Sequence, residues 1–149
     1  MGATSAQESA AGWTDEFVVT WDSFSIANIG VIADSTAHTF TYTIPLGSVV
    51  HNCGAELITA FDDSGGGAQL NVIVGDGDDD NGYLTTAALH TDQTEITKVV
   101  NTGALLATAS KAYAAADTID VKFSIAGAAY TVNELNAGKV VFRFTMLTV

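Results

Sequence analysis

Asp76, Asp78, Asp79, Asp80 and Asn81, within the run GDGDDDNG, form the densest set of hard oxygen donors in the chain. Donors of this kind hold calcium, and an EF-hand loop sets them at positions 1, 3 and 5, with Gly at 6 and a bidentate Glu at 12. A loop begun at Asp76 puts Asn81 where the Gly belongs and Ala87 where the Glu belongs. Begun at Gly77, it places Gly82 correctly but loses the first ligand and ends on Ala88. Neither register is an EF-hand. Two readings stay open. In one, Asp76, Asp78 and Asp80 grip a calcium ion between strands. In the other, which we favour, the run is a solvated acidic turn whose Asp and Asn side chains bond their own backbone. Asp62 and Asp63 are a weaker version of the same feature.

Other reactive side chains are scattered. His38, His51 and His90 stand at no spacing that would let two of them share a metal, and no H-E-x-x-H, G-x-S-x-G or phosphate-cradling Gly-rich loop ending in Lys is present. His38, at the start of a strand pattern, is expected to face solvent. Glu56, Glu95 and Glu134 are the carboxylates open to a glycosidase pairing, yet each reads more simply as a strand-edge or turn residue. The single cysteine, Cys53, allows no internal disulfide and reads as a small buried hydrophobe. These residues predict no enzymatic activity. Trp13, Trp21, Tyr83, Tyr113 and Tyr130 offer stacking faces for sugars, although Trp21 keeps phase with Phe17 and Val19 and is expected in the core.

Charge excludes whole classes of partner. There are 17 acids against 5 bases, for a net charge of −12, and no Lys or Arg precedes Lys98. A nucleic-acid binder needs bases to neutralise phosphates, and an anionic membrane surface makes the same demand. No secretory signal is legible in MGATSAQESAAGW, so synthesis and residence in the cytoplasm of the producing cell are expected. At 48% hydrophobic and 15% charged residues, the 149-residue chain is neither disordered nor membrane-spanning.

The elements that must position these groups are strands. Residues 1–12 are small and polar and read as a flexible arm; residues 13–149 read as one domain. Phe17, Val19 and Trp21, then Phe40, Tyr42 and Ile44, then Ile119, Val121, Phe123 and Ile125, then Val140, Phe142, Phe144 and Met146 alternate with polar or exposed positions. A period of two with aromatic and β-branched residues is the strand signature. Val49–Phe61 is a further strand, bent near Asn52–Gly54, and Asp62–Gly67 reads as the turn of a hairpin returning along Gln69–Val74. Tyr83–Leu89 is read as one helical turn. Ala104–Ala116 is Ala-rich but lacks an apolar stripe, so helix there is the minority reading. The sum is an all-β, antiparallel β-sandwich of about seven strands, with a jelly roll as the expected variant.

Three stretches carry a resemblance: ELITAFDDSGGGAQLNVIVGDGDDDNGYLTTAAL (residues 56–89), YAAADTIDVKFS (113–124) and NELNAGKVVFRFTML (133–147). Together they resemble small structural proteins of tailed-bacteriophage virions, including capsid decoration and cement proteins. The resemblance implies a β-sandwich, self-association about a symmetry axis, attachment to a major capsid protein lattice, and a place on the capsid surface. A three-fold lattice site would match a homotrimer. The arm, with Thr4, Ser5, Gln7 and Glu8 leading to Trp13, suits a segment that orders across a neighbouring subunit. The competing function is a carbohydrate-binding sandwich assisted by calcium at Asp76, Asp78 and Asp80.

Overall fold

In the strand His38–Ile44, Phe40 and Tyr42 turn inward while Thr39, Thr41 and Thr43 are exposed, the alternation that the sequence announces. The structure is a computed structural model that describes residues 13–26, 31–32, 37–63, 69–89, 98–107, 110–126, 130–131 and 135–148. In chain order its elements are β1 (Asp15–Thr20), α1 (Trp21–Ile26), β2 (Val31–Ile32), β3 (His38–Ile44), β4 (Val49–Asp63), β5 (Gln69–Gly75) and β6 (Leu84–Ala88). There follow β7 (Lys98–Val100), a 3-10 turn at Ala104–Leu106, β8 (Lys111–Ala112), β9 (Asp117–Ala126), β10 (Tyr130–Thr131) and β11 (Leu135–Leu147).

Two sheets hold nine of these strands. One runs β1-β11-β4-β7 with β8 also on β4, the other β3-β9-β5-β6, and β2 pairs separately with β10. The pairing is nested and antiparallel throughout. First strand meets last in β1/β11, then come β3/β9, β4 with β7 and β8, and innermost β5/β6. Rolling this long double ribbon up adds the closing ladders β11/β4 and β9/β5. That is the jelly roll, in which two Greek keys form one sandwich.

The core lies between the sheets. Phe123, Phe142 and Phe144 are fully buried beside Val72, Val74, Ile119 and Val140. Phe123 meets Phe142 edge-on at 6.2 Å and Phe40 edge-on at 5.8 Å, the geometry favoured by aromatic quadrupoles. Across the open edge, the Tyr42 hydroxyl donates to Asp15 Oδ1 at 2.6 Å. Burial and that carboxylate together push the Tyr42 phenol up to about 12.

Several expectations are corrected here. The hairpin from Val49–Phe61 to Gln69–Val74 does not form, because β4 and β5 belong to different sheets. The Gly-rich residues 64–68 that join them lie outside the described set. Residues 83–89 are β6 and its flanks, since pairing with β5 decides them, not local propensity. Ala104–Ala116 yields one 3-10 turn and a two-residue strand. Trp21 is 42% exposed, because β1 ends at Thr20 and α1 breaks the phase that linked it to Phe17 and Val19. The helix Trp21–Ile26 was not legible in the sequence. His38 is half-buried and edge-on to Phe40, and burial lowers its imidazole pKa.

The bend expected near Asn52–Gly54 takes the form of a register shift, where β11 pairs Thr145 with Asn52 but Met146 with Val50. On the other side of β4, Asn101 fills the gap between β7 and β8. Its Oδ1 accepts from the Cys53 N–H at 2.8 Å, its own N–H donates to the Cys53 carbonyl at 2.9 Å, and its Nδ2 reaches Asn52 Oδ1 at 2.8 Å. It does so at φ 50, a left-handed conformation that Asn tolerates better than most residues. Cys53 is fully buried, and burial pushes its thiol pKa well up. The thiol of the folded protein should therefore resist an aromatic disulfide reagent at neutral pH and react fully in guanidinium. Rapid native-state reaction would contradict this packing.

Candidate functional site

The acidic loop between β5 and β6 folds around a single carboxylate. Asp76 is fully buried, and its Oδ1 accepts from the backbone N–H groups of Asp78 at 3.1 Å and Asp79 at 3.0 Å. Its Oδ2 accepts from the Tyr113 hydroxyl at 2.8 Å and lies 3.5 Å from Lys111 Nζ. The Asp79 carbonyl returns the favour, taking the N–H groups of Asp76 and Gly82 at 3.0 and 3.1 Å. Burial alone would raise the Asp76 pKa. The Tyr113 hydroxyl, the two backbone donors and the Lys111 ammonium outweigh it and hold the carboxyl below its ordinary value. Tyr113 in turn bonds the Tyr83 hydroxyl, and burial drives both phenols well above the usual tyrosine range.

The three predicted ligands do not converge. Asp78 is exposed, and Asp80 turns outward to Lys122 Nζ at 2.7 Å, while Asp76 points inward to its own donors. Among the described residues no group of three His, Cys, Asp or Glu side chains is placed to hold one ion. Tyr83 and Tyr113, considered as sugar platforms, are 0% and 5% exposed and belong to this buried network. Tyr130 starts β10, and His90 lies outside the described residues. Ser110 Oγ and His51 Nδ1 meet at 2.6 Å in an exposed position. Among the described residues no carboxylate hydrogen-bonds that imidazole, the bond by which a triad orients its base.

A second constellation lies on the outer face of the five-stranded sheet. Trp13 sits over Gly54 so closely that a side chain there would lie 3.0 Å from the indole ring. With Glu56, Lys98, Val100 and Arg143 these residues line a groove of about 240 Å³. Glu56 is bracketed by Lys98 Nζ at 2.8 Å and Arg143 Nη1 at 2.7 Å, and Arg143 Nε lies 3.3 Å from Glu16 Oε2. The Lys98 and Arg143 bonds overcome partial burial and lower the Glu56 pKa. Beyond the end of β1, Thr20, Trp21, Thr59, Gly138 and Lys139 border a wider depression on the same sheet. Of the residues assigned to the arm, Trp13 is at the groove; Thr4, Ser5, Gln7 and Glu8 lie outside the described residues. Sequence reasoning named Glu56 but missed Lys98 and Arg143. Arg143 and Glu56 are 87 residues apart, and only the β11/β4 register makes them neighbours.

The fold can be set beside known structures. It matches a chain in the capsid asymmetric unit of cyanophage Pam1 with a TM-score of 0.56 and 18% identity, over 90% of this chain and 82% of that one. The two chains share a fold. Chains of the acid-stable capsid of Helicobacter pylori bacteriophage KHP30 and of the capsid of Ralstonia phage GP4 are matched over 90% and 92% of this chain and 87% and 86% of theirs. Their identities are 14% and 12%, with TM-scores of 0.43 and 0.45. No protein-family model and no curated protein matches the sequence. The all-β sandwich read from the sequence is the architecture observed.

Proposed function

We propose that the protein is a non-enzymatic structural component of a bacteriophage virion, and most concretely a decoration or cement protein on the capsid surface. It would stabilise the shell by bridging neighbouring subunits of the major capsid protein lattice. The observation that carries this reading is the jelly roll shared with the Pam1 capsid chain across nine-tenths of the sequence. Two features support it. The buried carboxylate is consumed by loop architecture, and Trp13 lies in a groove on the outer face of the five-stranded sheet. An arm that orders on contact adds surface at the cost of its own entropy, the usual logic of lattice-bridging segments.

The test is co-sedimentation of the purified protein with expanded capsids of the phage that encodes it. Saturable binding at a fixed copy number per shell is expected, together with a shell that survives heating better when coated. Deleting residues 2–12 should abolish binding while leaving the melting temperature of the free protein almost unchanged. Unaltered capsid affinity after that deletion would remove the arm from the proposal, and no binding by the full chain would remove the proposal itself.

A further inference from the structure

Four of the chain's five bases are matched to carboxylates. Lys98 and Arg143 bracket Glu56, Lys111 lies beside Asp76, and Lys122 holds Asp80. Lys139 is exposed and enters no ion pair among the described residues. It borders the depression beyond the end of β1, where Trp21 is 42% exposed. A cation and an aromatic face that the fold leaves unused therefore stand together. Register sets Thr20, Lys139 and Thr59 side by side across β1, β11 and β4. The Thr20 hydroxyl donates to Asp22 Oδ1, which steadies that carboxylate and leaves Oδ2 without a partner among the described residues. The floor is Gly138, at φ 139 with the Phe61 ring against it, where no side chain fits.

The space above that bare backbone is about 470 Å³. Small-molecule sites run from roughly 300 to 1,000 Å³, so the size suits a ligand of one or two rings. One aromatic face, one free carboxylate oxygen, one ammonium and two hydroxyls are on offer. A pyranose matches this set, because its C–H face packs on an indole while its rim hydroxyls both donate and accept. Asp22 can take a hydroxyl proton, and Lys139 Nζ can donate to a hydroxyl oxygen. Their charges cancel, and the field of a chain of net charge −12 repels an acidic sugar. Other occupants fit worse. A nucleic acid would find one free base. A protein partner needs on the order of 1,000 Å² of contact, whereas Ile58 and Val18 stand singly among charged neighbours.

We propose that the depression bordered by Trp21, Asp22, Thr59 and Lys139 is a calcium-independent binding site for a neutral sugar, with the pyranose ring stacked on Trp21. The inference goes beyond the virion reading and does not rest on it. It also differs in place and chemistry from the calcium-assisted site considered at Asp76, Asp78 and Asp80. Asp76 meets Lys111, which pairs with Val50 at the other end of β4 from Thr59, roughly 30 Å away by strand rise. The Trp13 groove does not compete, because Glu56, Lys98 and Arg143 there are already matched to one another.

The experiment follows the indole N–H and backbone amide resonances of the isotope-labelled full chain. Cellobiose, lactose, mannobiose and diacetylchitobiose are added in turn to millimolar concentrations. The chain has two tryptophans, and Trp21→Phe tells their signals apart. At least one of the four sugars should move the Trp21 signal saturably, leave that of Trp13 in place, and do so equally with calcium or with chelator. Read from the Thr59 amide, Trp21→Ala should weaken binding roughly tenfold or more, and Lys139→Ala by roughly tenfold. Trp21→Phe keeps a stacking face and should bind within a few-fold of the wild type; Trp13→Ala should match it. Failure of all four sugars to move Trp21 overturns the inference, as does a response to sialyllactose alone or a dependence on calcium. A folded Trp21→Ala that binds unchanged overturns it too, and if that variant does not fold, unchanged binding by Lys139→Ala does the same. Capsid coating without sugar binding would sink this inference and spare the virion reading; sugar binding without capsid coating would do the reverse.

Discussion

Asp76→Asn should lower the melting temperature by roughly 6–12 °C at neutral pH. The substitution keeps the shape of the side chain but removes the charge and turns one acceptor into a donor facing the Tyr113 hydroxyl and Lys111 Nζ. A buried group left with mismatched partners costs about 1–3 kcal/mol, and more when charge is lost, so about 3 kcal/mol is expected here. For a domain of this size each kcal/mol moves the midpoint by roughly 2–4 °C. The pH dependence has a definite sign. The folded carboxyl titrates below its unfolded value of about 3.9, so its contribution is complete above that pH and fades as pH falls through the folded pKa. Thermal melts of both proteins should run parallel above about pH 5 and converge below about pH 4. A variant that melts with the wild type at pH 7 would show that the loop does not depend on this carboxylate.

Gly75→Ala should be at least as damaging, with a loss of about 3–5 kcal/mol. A methyl group at position 75 would lie 1.9 Å from the Asp79 carbonyl oxygen and 2.3 Å from the Asp80 carbonyl carbon. Both obstacles are backbone, so the whole loop must lift off β5, adding lost hydrogen bonds to the strain of an overfilled site. Gly77→Ala is the internal control. Its methyl group would meet only Asp117 Oδ1, at an ordinary 3.7 Å, and should cost little beyond the local backbone preference. Because Gly75 and Asp76 act on one loop, the double variant should lose less than the two single losses together. Additive losses in denaturant titrations would mean that the two residues support separate structures.

The strand elements were legible because their cause is local. Period-two alternation along Phe40–Ile44, Ile119–Phe123 and Val140–Phe144 reports which side chains face the core, whatever the strand pairs with. Pairing itself is not local. Asp62–Gly67 has the composition of a hairpin turn, but composition cannot tell a reversal within one sheet from a crossing to the other. Tyr83 and Tyr113 looked like loop aromatics because the groups that bury them, Asp76 and each other, lie up to 37 residues away. The same blindness hid the Lys98–Glu56–Arg143 ladder. Asp76 is the most instructive residue: the density of acids around it was plain, while its inward aim depends on Tyr113 and on the close approach permitted by Gly75.

Nested pairing also governs when the molecule can exist during its own synthesis. β1 emerges from the ribosome early, yet its ladder partner is β11, and β11 also supplies the long central partner of β4. Until that segment has left the exit tunnel, β1 has no ladder partner and β4 has only the short β7 and β8, so the apolar faces around Phe17, Cys53 and Leu57 are not yet held in one sheet. Folding is therefore a late, concerted event with large loops to close, and all-β topologies of this kind take on the order of milliseconds to seconds. The twelve-strong excess of negative charge then gains a second use, keeping nascent and newly released chains apart during the interval in which their strand edges are open.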